Sequence, residues 1–499
     1  MHTKVNIKRL STRVPGFDEL LGGGLPEFSF NIIAGDPGCG KTTLAHQMMF
    51  SWATPERPAL FLTILGEPPL KMLRYQQQFD FFDGNAIDRS IRFINLTEET
   101  LSGDLDLVLR RIMEEVVKHK PAFVFIDSFR SVARASRESE TRSPLQHFVQ
   151  QLGIAMTSWQ ATTFLIGEYA EPDDANPVFT VADGIIWMRQ SVHRNSMVRK
   201  IEIVKMRGQA TIPGLHSFRI NESGITVYSP FPTAKIEDMD ESAPRALFGI
   251  SRLDEMLGGG VPRSYSMLIA GPSGSGKSIL ASAFLAEGAR LGENGVVAAF
   301  EAGLSKKTRN PVLAKLVQDG LVSLISTGRP DLSVDEIILL LMNEIRRVKA
   351  TRVVLDSLSG FELALAPTFR EEFRESMLRL VGTLTQARVT VVMTCELEDR
   401  YSDLRFSPYG TAFLTDAIIV QRYIEVESRL RRVLAVVKVR ASQHSNELRE
   451  YTIGDDGIHV GEMLTEQEGL LGGRPTRNVM QENHTLAKTE TNQGRSNTS

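Results

Sequence analysis

The sequence predicts an α/β protein of two tandem domains, each a mostly parallel sheet flanked by helices. Three observations carry that reading. A glycine-rich loop of the form G-x-x-x-x-G-K-[ST] occurs twice, as Gly35-Asp36-Pro37-Gly38-Cys39-Gly40-Lys41-Thr42 and as Gly271-Pro272-Ser273-Gly274-Ser275-Gly276-Lys277-Ser278. The segment before each loop is also duplicated: Phe17-Asp18-Glu19-Leu20-Leu21-Gly22-Gly23-Gly24 returns as Leu253-Asp254-Glu255-Met256-Leu257-Gly258-Gly259-Gly260. Short apolar runs then alternate with helical stretches through both halves, the pattern of buried parallel strands joined by helices.

The repeat sets the domains. Lys41 and Lys277 stand 236 residues apart, Asp127 and Asp356 229, and Lys205 and Lys438 233. A near-constant offset over most of each half is a duplication, and a period this long makes each copy a whole domain. The expected boundaries are a first domain over 1–230, a linker over 231–243 where prolines give way to acids, a second domain over 244–463, and a tail over 464–499. The tail is rich in Asn, Thr, Gln and Gly and too poor in apolar residues to offset its ordering entropy, so it is expected to be disordered.

In the first copy the apolar runs are 30–34, 59–63, 123–127, 162–166 and 184–188. In the second they are 266–270, 296–300, 352–356, 389–393 and 418–420. Each loop follows the first strand of its copy and opens a helix, the context this motif requires.

The loop chemistry is that of a nucleoside triphosphate site. Glycines let backbone N–H groups curve around phosphates, and the helix that follows adds its positive end. Lys41 and Lys277 are placed to reach the terminal phosphates, Thr42 and Ser278 to ligate Mg²⁺, and Thr43 and Ile279 complete the nucleotide-contacting set. Asp127 and Asp356 each close an apolar strand and are followed by Ser. This is the form of the second metal-side carboxylate. One such strand is weak evidence; two at matching positions are strong.

Hydrolysis also asks for a carboxylate that orients water. The candidates are Glu67 and Glu301, after the second strand of each copy. Late in each copy, Lys205-Met206-Arg207 and Lys438-Val439-Arg440 put two cations on one strand face, where they could stabilise phosphate charge at a neighbouring subunit's site. A lone Lys-x-Arg is more often a solvated face.

The balance of the chain narrows its partners. A net charge of −3 supplies no global attraction to nucleic acid or acidic membranes, and no run approaches the length of a membrane span. Cys39 and Cys395 lie in different repeats and form no disulfide framework, which suits a reducing, cytoplasmic setting.

With these residues assembled, the chain resembles the KaiC-like proteins, double-domain members of the RecA-type ATPases. The resemblance rests on residues 15–26, on 181–186 and on Lys205-Met206-Arg207-Gly208, and it covers about residues 6–460. It implies two RecA-like domains that bind ATP with Mg²⁺, and a homo-hexamer of two stacked rings with ATP between subunits. Lys205, Arg207, Lys438 and Arg440 would then act in trans.

In the circadian-clock members the first ring is a slow ATPase and the second phosphorylates its own Ser and Thr. This sequence departs from them. One acid of each adjacent glutamate pair is absent beside Glu67 and Glu301, and the expected phosphoacceptor pair falls on Ala412 and Phe413. Ser407, Thr411 and Thr415 remain nearby. The leading expectation is therefore a slow ATP-hydrolysing signalling or scaffold protein whose nucleotide state controls ring assembly and an unidentified protein partner. A serine/threonine autokinase is the alternative, and a DNA-dependent ATPase the less favoured third.

Overall fold

The computed structural model describes residues 7–64, 69–101, 104–129, 143–169, 171, 177–193, 196–229, 244–300, 310–326, 332–370, 373–397, 414–426, 428–464, 467–468 and 476–477. The chain divides into two compact units, Met1–Pro230 and Phe231–Ser499. The expected linker lies outside the described residues. Within the expected tail, Gln467–Glu468 and Thr476–Arg477 pair as a short antiparallel ladder.

The first unit is built on β1 (Phe30–Gly35), α1 (Lys41–Trp52), β2 (Ala59–Thr63), β3 (Ile91–Asn95), α2 (Leu105–His119), β4 (Phe123–Asp127), α3 (Ser143–Ser158), β5 (Thr162–Glu168) and β6 (Gly184–His193). A ribbon of β7 (Ser196–Met206), β8 (His216–Asn221) and β9 (Gly224–Val227) follows. Its nine-stranded sheet runs β9-β8-β7-β6-β1-β5-β4-β2-β3. From β6 to β3 the neighbours are parallel, and the ribbon continues antiparallel.

The second unit repeats this with β10 (Ser266–Gly271), α4 (Lys277–Arg290), β11 (Gly295–Ala299), β12 (Val322–Ser326), α5 (Val334–Val348), β13 (Arg352–Asp356), α6 (Phe373–Gln386), β14 (Thr390–Glu396), β15 (Ala417–Val426), β16 (Arg429–Val439), β17 (Leu448–Gly454) and β18 (Gly457–Met463). Its sheet order, β12-β11-β13-β14-β10-β15-β16-β17-β18, is the first sheet read from its other edge. The antiparallel ribbons are the part of each sheet that the alternating apolar runs leave unread. Their edge strands pack against α1 or α4, and their apolar residues are interrupted by charge.

Period-two alternation divides each central strand between two layers. In the first unit Ile33, Phe61, Phe125 and Phe164 pack under α1 with Leu44, Met48 and Trp52. On the other face Ile32, Leu62, Ile126 and Leu165 pack against Val108 and Ile112 of α2 and Phe148 and Leu152 of α3. Local signals recur with the duplication offset. Asp104 accepts from Asp106 and Leu107 N–H groups at the start of α2, and Ser333, 229 residues on, accepts from Glu336 N–H at the start of α5. Lys120 and Lys349, also 229 apart, end these helices in the left-handed conformation. Each side-chain cap stabilises its helix by about 1 kcal/mol.

Candidate functional site: two phosphate-binding loops at the carboxyl ends of the strands

Both loops leave the carboxyl end of a central strand and turn into a helix, the crevice position where open α/β sheets bind ligands. Gly40 and Gly276 start α1 and α4 in the left-handed conformation. Gly35 runs so close to β6 that an added Cβ would sit 1.8 Å from the Met188 carbonyl oxygen, at φ +145°.

The lysines fold back over their own loops. Lys41 Nζ donates to the carbonyls of Gly35 at 3.1 Å and Asp36 at 2.7 Å. Lys277 Nζ does the same to Gly271 at 2.9 Å and Pro272 at 2.8 Å. Their partners are flexible-arm contacts of the kind a phosphate oxygen replaces. The loop bodies are pinned differently. Asp36 accepts from Gln190 N–H at 3.0 Å, whereas Ser275 donates to Gln421 at 3.1 Å and its carbonyl accepts from the Tyr451 hydroxyl at 2.6 Å.

The strand-end aspartates are held differently in the two units, and the first is bonded to its loop. The Thr42 hydroxyl donates to Asp127 Oδ2 at 2.8 Å. Burial pushes the Asp127 carboxyl up to about 6, against the pull of the Thr42 hydroxyl and the Lys41 ammonium, with Glu168 adding to the rise. In the second unit Asp356 accepts from Thr394 at 2.5 Å, and Ser278 is exposed.

The donor set suits Mg²⁺: a carboxylate and a hydroxyl are hard oxygens, and this ion keeps waters and substrate phosphates as its other ligands. Thr42 and Asp127 would hold it in the first site, Ser278 and Asp356 in the second. Cys39 is buried beside Lys41, and burial raises its thiol. Cys395 is also buried, and burial pushes its thiol to about 12.

Lys205 and Lys438 stand away from the loops of their own units. Lys205 is in register with Ile185, and Met188, three residues further along β6, is in register with Gly35. At about 3.3 Å per residue that separates them by roughly 10 Å. Each sits beside a register shift, between Ile185 and Ile186 or between Ile418 and Ile419, and such bulges re-aim side chains.

Lys205 Nζ donates to the Phe179 carbonyl at 3.4 Å, and Lys438 Nζ to the Thr415 carbonyl at 2.6 Å. Burial, then the neighbouring guanidinium, lowers the proton affinity of both ammonium groups. Arg207 and Arg440 fall just past the strand ends and pair with Asp183 and Asp416, each at 3.2 Å. The pairing of each cation with a strand-start carboxylate was not part of the sequence reading.

Glu168 and Glu396 also escaped it. They end β5 and β14 in register with Gly35 and Gly271, at the mouth of each loop. The available signal was an acid closing the same apolar strand in both copies. Glu67, Glu301, Ser407, Thr411, Ala412 and Phe413 lie outside the described residues. Among the described residues no helix is long and apolar enough to cross a membrane.

A family model described as ATPase: KaiC matches residues 10–231 and again 247–465. The chain is 27% identical over 501 residues to the circadian clock oscillator protein KaiC of Rippkaea orientalis, covering 98% of this chain and 95% of that protein. It is 28% identical to circadian clock oscillator protein KaiC 1 of Synechocystis sp., over 97% and 94% of the two chains. Circadian clock protein KaiC3 of the same organism is 27% identical over 94% and 95%. With the family model matched once in each unit and these relatives aligned along almost all of their length, the chain belongs to the KaiC ATPase family.

Proposed function

We propose that the protein binds Mg-ATP at both loops and hydrolyses it slowly, and that nucleotide state controls ring assembly and the surface offered to a protein partner. The observation that carries this reading is duplicated in the two units: a lysine curled over its loop carbonyls and an aspartate closing the matching strand, bonded in the first unit to Thr42 of the loop. Bound phosphates would take Lys41 and Lys277 from those carbonyls. Bound Mg²⁺ would screen the phosphate charge, while Thr42, Asp127, Ser278 and Asp356 orient its shell. Glu67 and Glu301 are the proposed water-orienting bases.

The sheet-end placement of Lys205, Arg207, Lys438 and Arg440 supports action on a neighbouring subunit's nucleotide, which makes a homo-hexamer the proposed assembly. From the clock relatives the proposal takes the nucleotide chemistry and leaves the self-phosphorylation aside, because Ala412 and Phe413 carry no hydroxyl.

The test incubates the purified protein with γ-labelled ATP and Mg²⁺ and follows free phosphate and protein-bound label together. Free phosphate without protein label is expected, falling at least about a hundredfold in Lys41→Ala if the first unit does most of the turnover. Protein label that disappears in Lys277→Ala would instead establish a kinase. No nucleotide binding at either loop would end the proposal.

A further inference from the structure

The two units hold the strand-end aspartate through different hydroxyls. In the first unit the donor is the loop residue itself, Thr42, at 2.8 Å from Asp127 Oδ2. In the second it is Thr394, 2.5 Å from Asp356 Oδ1. Thr394 is fully buried on β14, and the pairing of Leu355 with Met393 brings it level with Asp356. In the first unit Ile166 is in register with Asp127, and its hydrocarbon side chain has no proton to donate.

A carboxylate has two oxygens. A buried neutral donor on Oδ1 fixes the plane of the group and leaves Oδ2 for a cation's water shell. Such outer partners orient metal-side ligands, and their loss typically weakens metal binding 10- to 100-fold. In the first unit Ile166 cannot serve as this outer anchor, and among the described residues the aspartate is oriented by Thr42, which must also serve the cation.

We propose that Thr394 is a positioning residue of the second nucleotide site, anchoring Asp356 for Mg²⁺, and that its replacement by Ile166 gives the first site a different dependence on Mg²⁺. This rests on the reading that both loops bind Mg-nucleotide.

The experiment uses the full chain carrying Lys41→Ala, so that a fluorescent N-methylanthraniloyl-ATP probe reports the second site. Binding is followed as MgCl₂ is added. Thr394→Val is expected to raise the half-saturating Mg²⁺ concentration by about tenfold or more, while Thr394→Ser stays within about twofold of the parent. Probe affinity in EDTA should be the same for all three. In the complementary Lys277→Ala chain, Ile166→Thr should lower the Mg²⁺ requirement of the first site.

An unmoved Mg²⁺ midpoint in Thr394→Val overturns the proposal, as does a Thr394→Ser protein that behaves like Thr394→Val. Thermal unfolding checks that the Val variant is folded, and if it is not, the Ile166→Thr arm decides. Probe binding that survives Lys277→Ala added to the Lys41→Ala chain shows that the loops do not bind the nucleotide. That result removes the underlying reading as well, and it is distinct from loop-dependent binding with an unshifted midpoint.

Discussion

Arg352 and Glu293 form an ion pair at 2.6 Å at the start of the strand whose far end carries Asp356. The guanidinium is almost completely buried. It also donates to the Leu247 and Phe284 carbonyls at 2.7 Å each and lies over the Phe284 ring. The first unit has Phe123 at this position, with the Arg57 guanidinium over its ring. The surrounding charges have exchanged places: Glu27 meets Arg57 in one unit, and Arg263 meets Glu293 at the corresponding positions of the other.

Removing one partner of a buried pair leaves the other desolvated and uncompensated. Arg352→Ala should therefore cost the second unit about 3–5 kcal/mol. Glu293 keeps Arg263, which places the loss towards the lower end. Chemical denaturation followed by a probe in each unit should show the second transition moving to lower denaturant and the first staying in place. Equal movement of both transitions would count against a local role.

The fate of Glu293 adds a pH signature. Burial works to raise its carboxyl, and the Arg263 and Arg352 guanidiniums outweigh it, leaving it below the usual glutamate range. A depressed carboxyl stabilises the fold above its unfolded value, and that stabilisation is lost as pH falls through the folded one. Arg352→Ala should narrow the difference in second-unit stability between neutral and acid pH, read from unfolding midpoints across pH 7 to 3.

The first unit should respond to acid through His46. This ring, on α1, is wholly buried, 4.7 Å from Phe61 of β2 and 6.0 Å from Phe93 of β3 between centroids. Burial pushes it down to about 4, with Gln76 opposing. The folded ring stays neutral while the unfolded chain takes up a proton below about 6.5. Stability is thus unaffected above that pH and declines between about 6.5 and 4, by up to about 3 kcal/mol. His46→Leu should flatten that decline in the first-unit unfolding midpoint. The second unit has Ser282 at the matching place and should lack this component.

How much of this was legible in sequence follows from how local each feature is. The loops, their strands and the strand-end aspartates are contiguous patterns, and duplication doubles each signal. Asp183 and Arg207 meet across two strands joined by a hairpin, so the Lys-x-Arg spacing shows two cations and says nothing of the carboxylate that holds one of them. The spacing also expects both cations on one strand face, whereas β7 ends at Met206 and Arg207 falls one residue beyond it. The choice between Thr42 and Thr394 as donor depends on which residue of β5 or β14 stands level with the aspartate. Ile166 and Thr394 acquire meaning only when parallel register sets them level with an aspartate. The sequence candidates Glu67 and Glu301 remain proposals.

The loop glycines should not be equivalent. Gly38 has φ +72° and open space where a Cβ would go, while a Cβ on Gly35 would collide with the Met188 backbone at 1.8 Å. Gly38→Ala is expected to cost about 1 kcal/mol from its left-handed conformation. Gly35→Ala must displace β6 from β1, so its loss should be several-fold greater, with nucleotide binding abolished. Parallel thermal melts and probe titrations of the two variants would reveal the order; equal effects would mean that β6 yields readily.

The position of Lys205 and Arg207 at the far end of the sheet supports a ring in which each nucleotide is served by two subunits. A mixing experiment separates this from action within one chain. Both proteins carry Lys277→Ala to silence the second site, and one adds Lys41→Ala while the other adds Arg207→Ala. Each alone should hydrolyse little ATP. Co-expressed at equal amounts in a head-to-tail ring, about one quarter of the interfaces would join an intact Lys41 to an intact Arg207, and activity should return to about that fraction. An arginine acting on its own subunit's nucleotide, or holding only Asp183, could not be rescued in this way, because no subunit in the mixture contains both intact residues. Free-phosphate release from the mixture, compared with the two pure proteins at the same total concentration, decides between them.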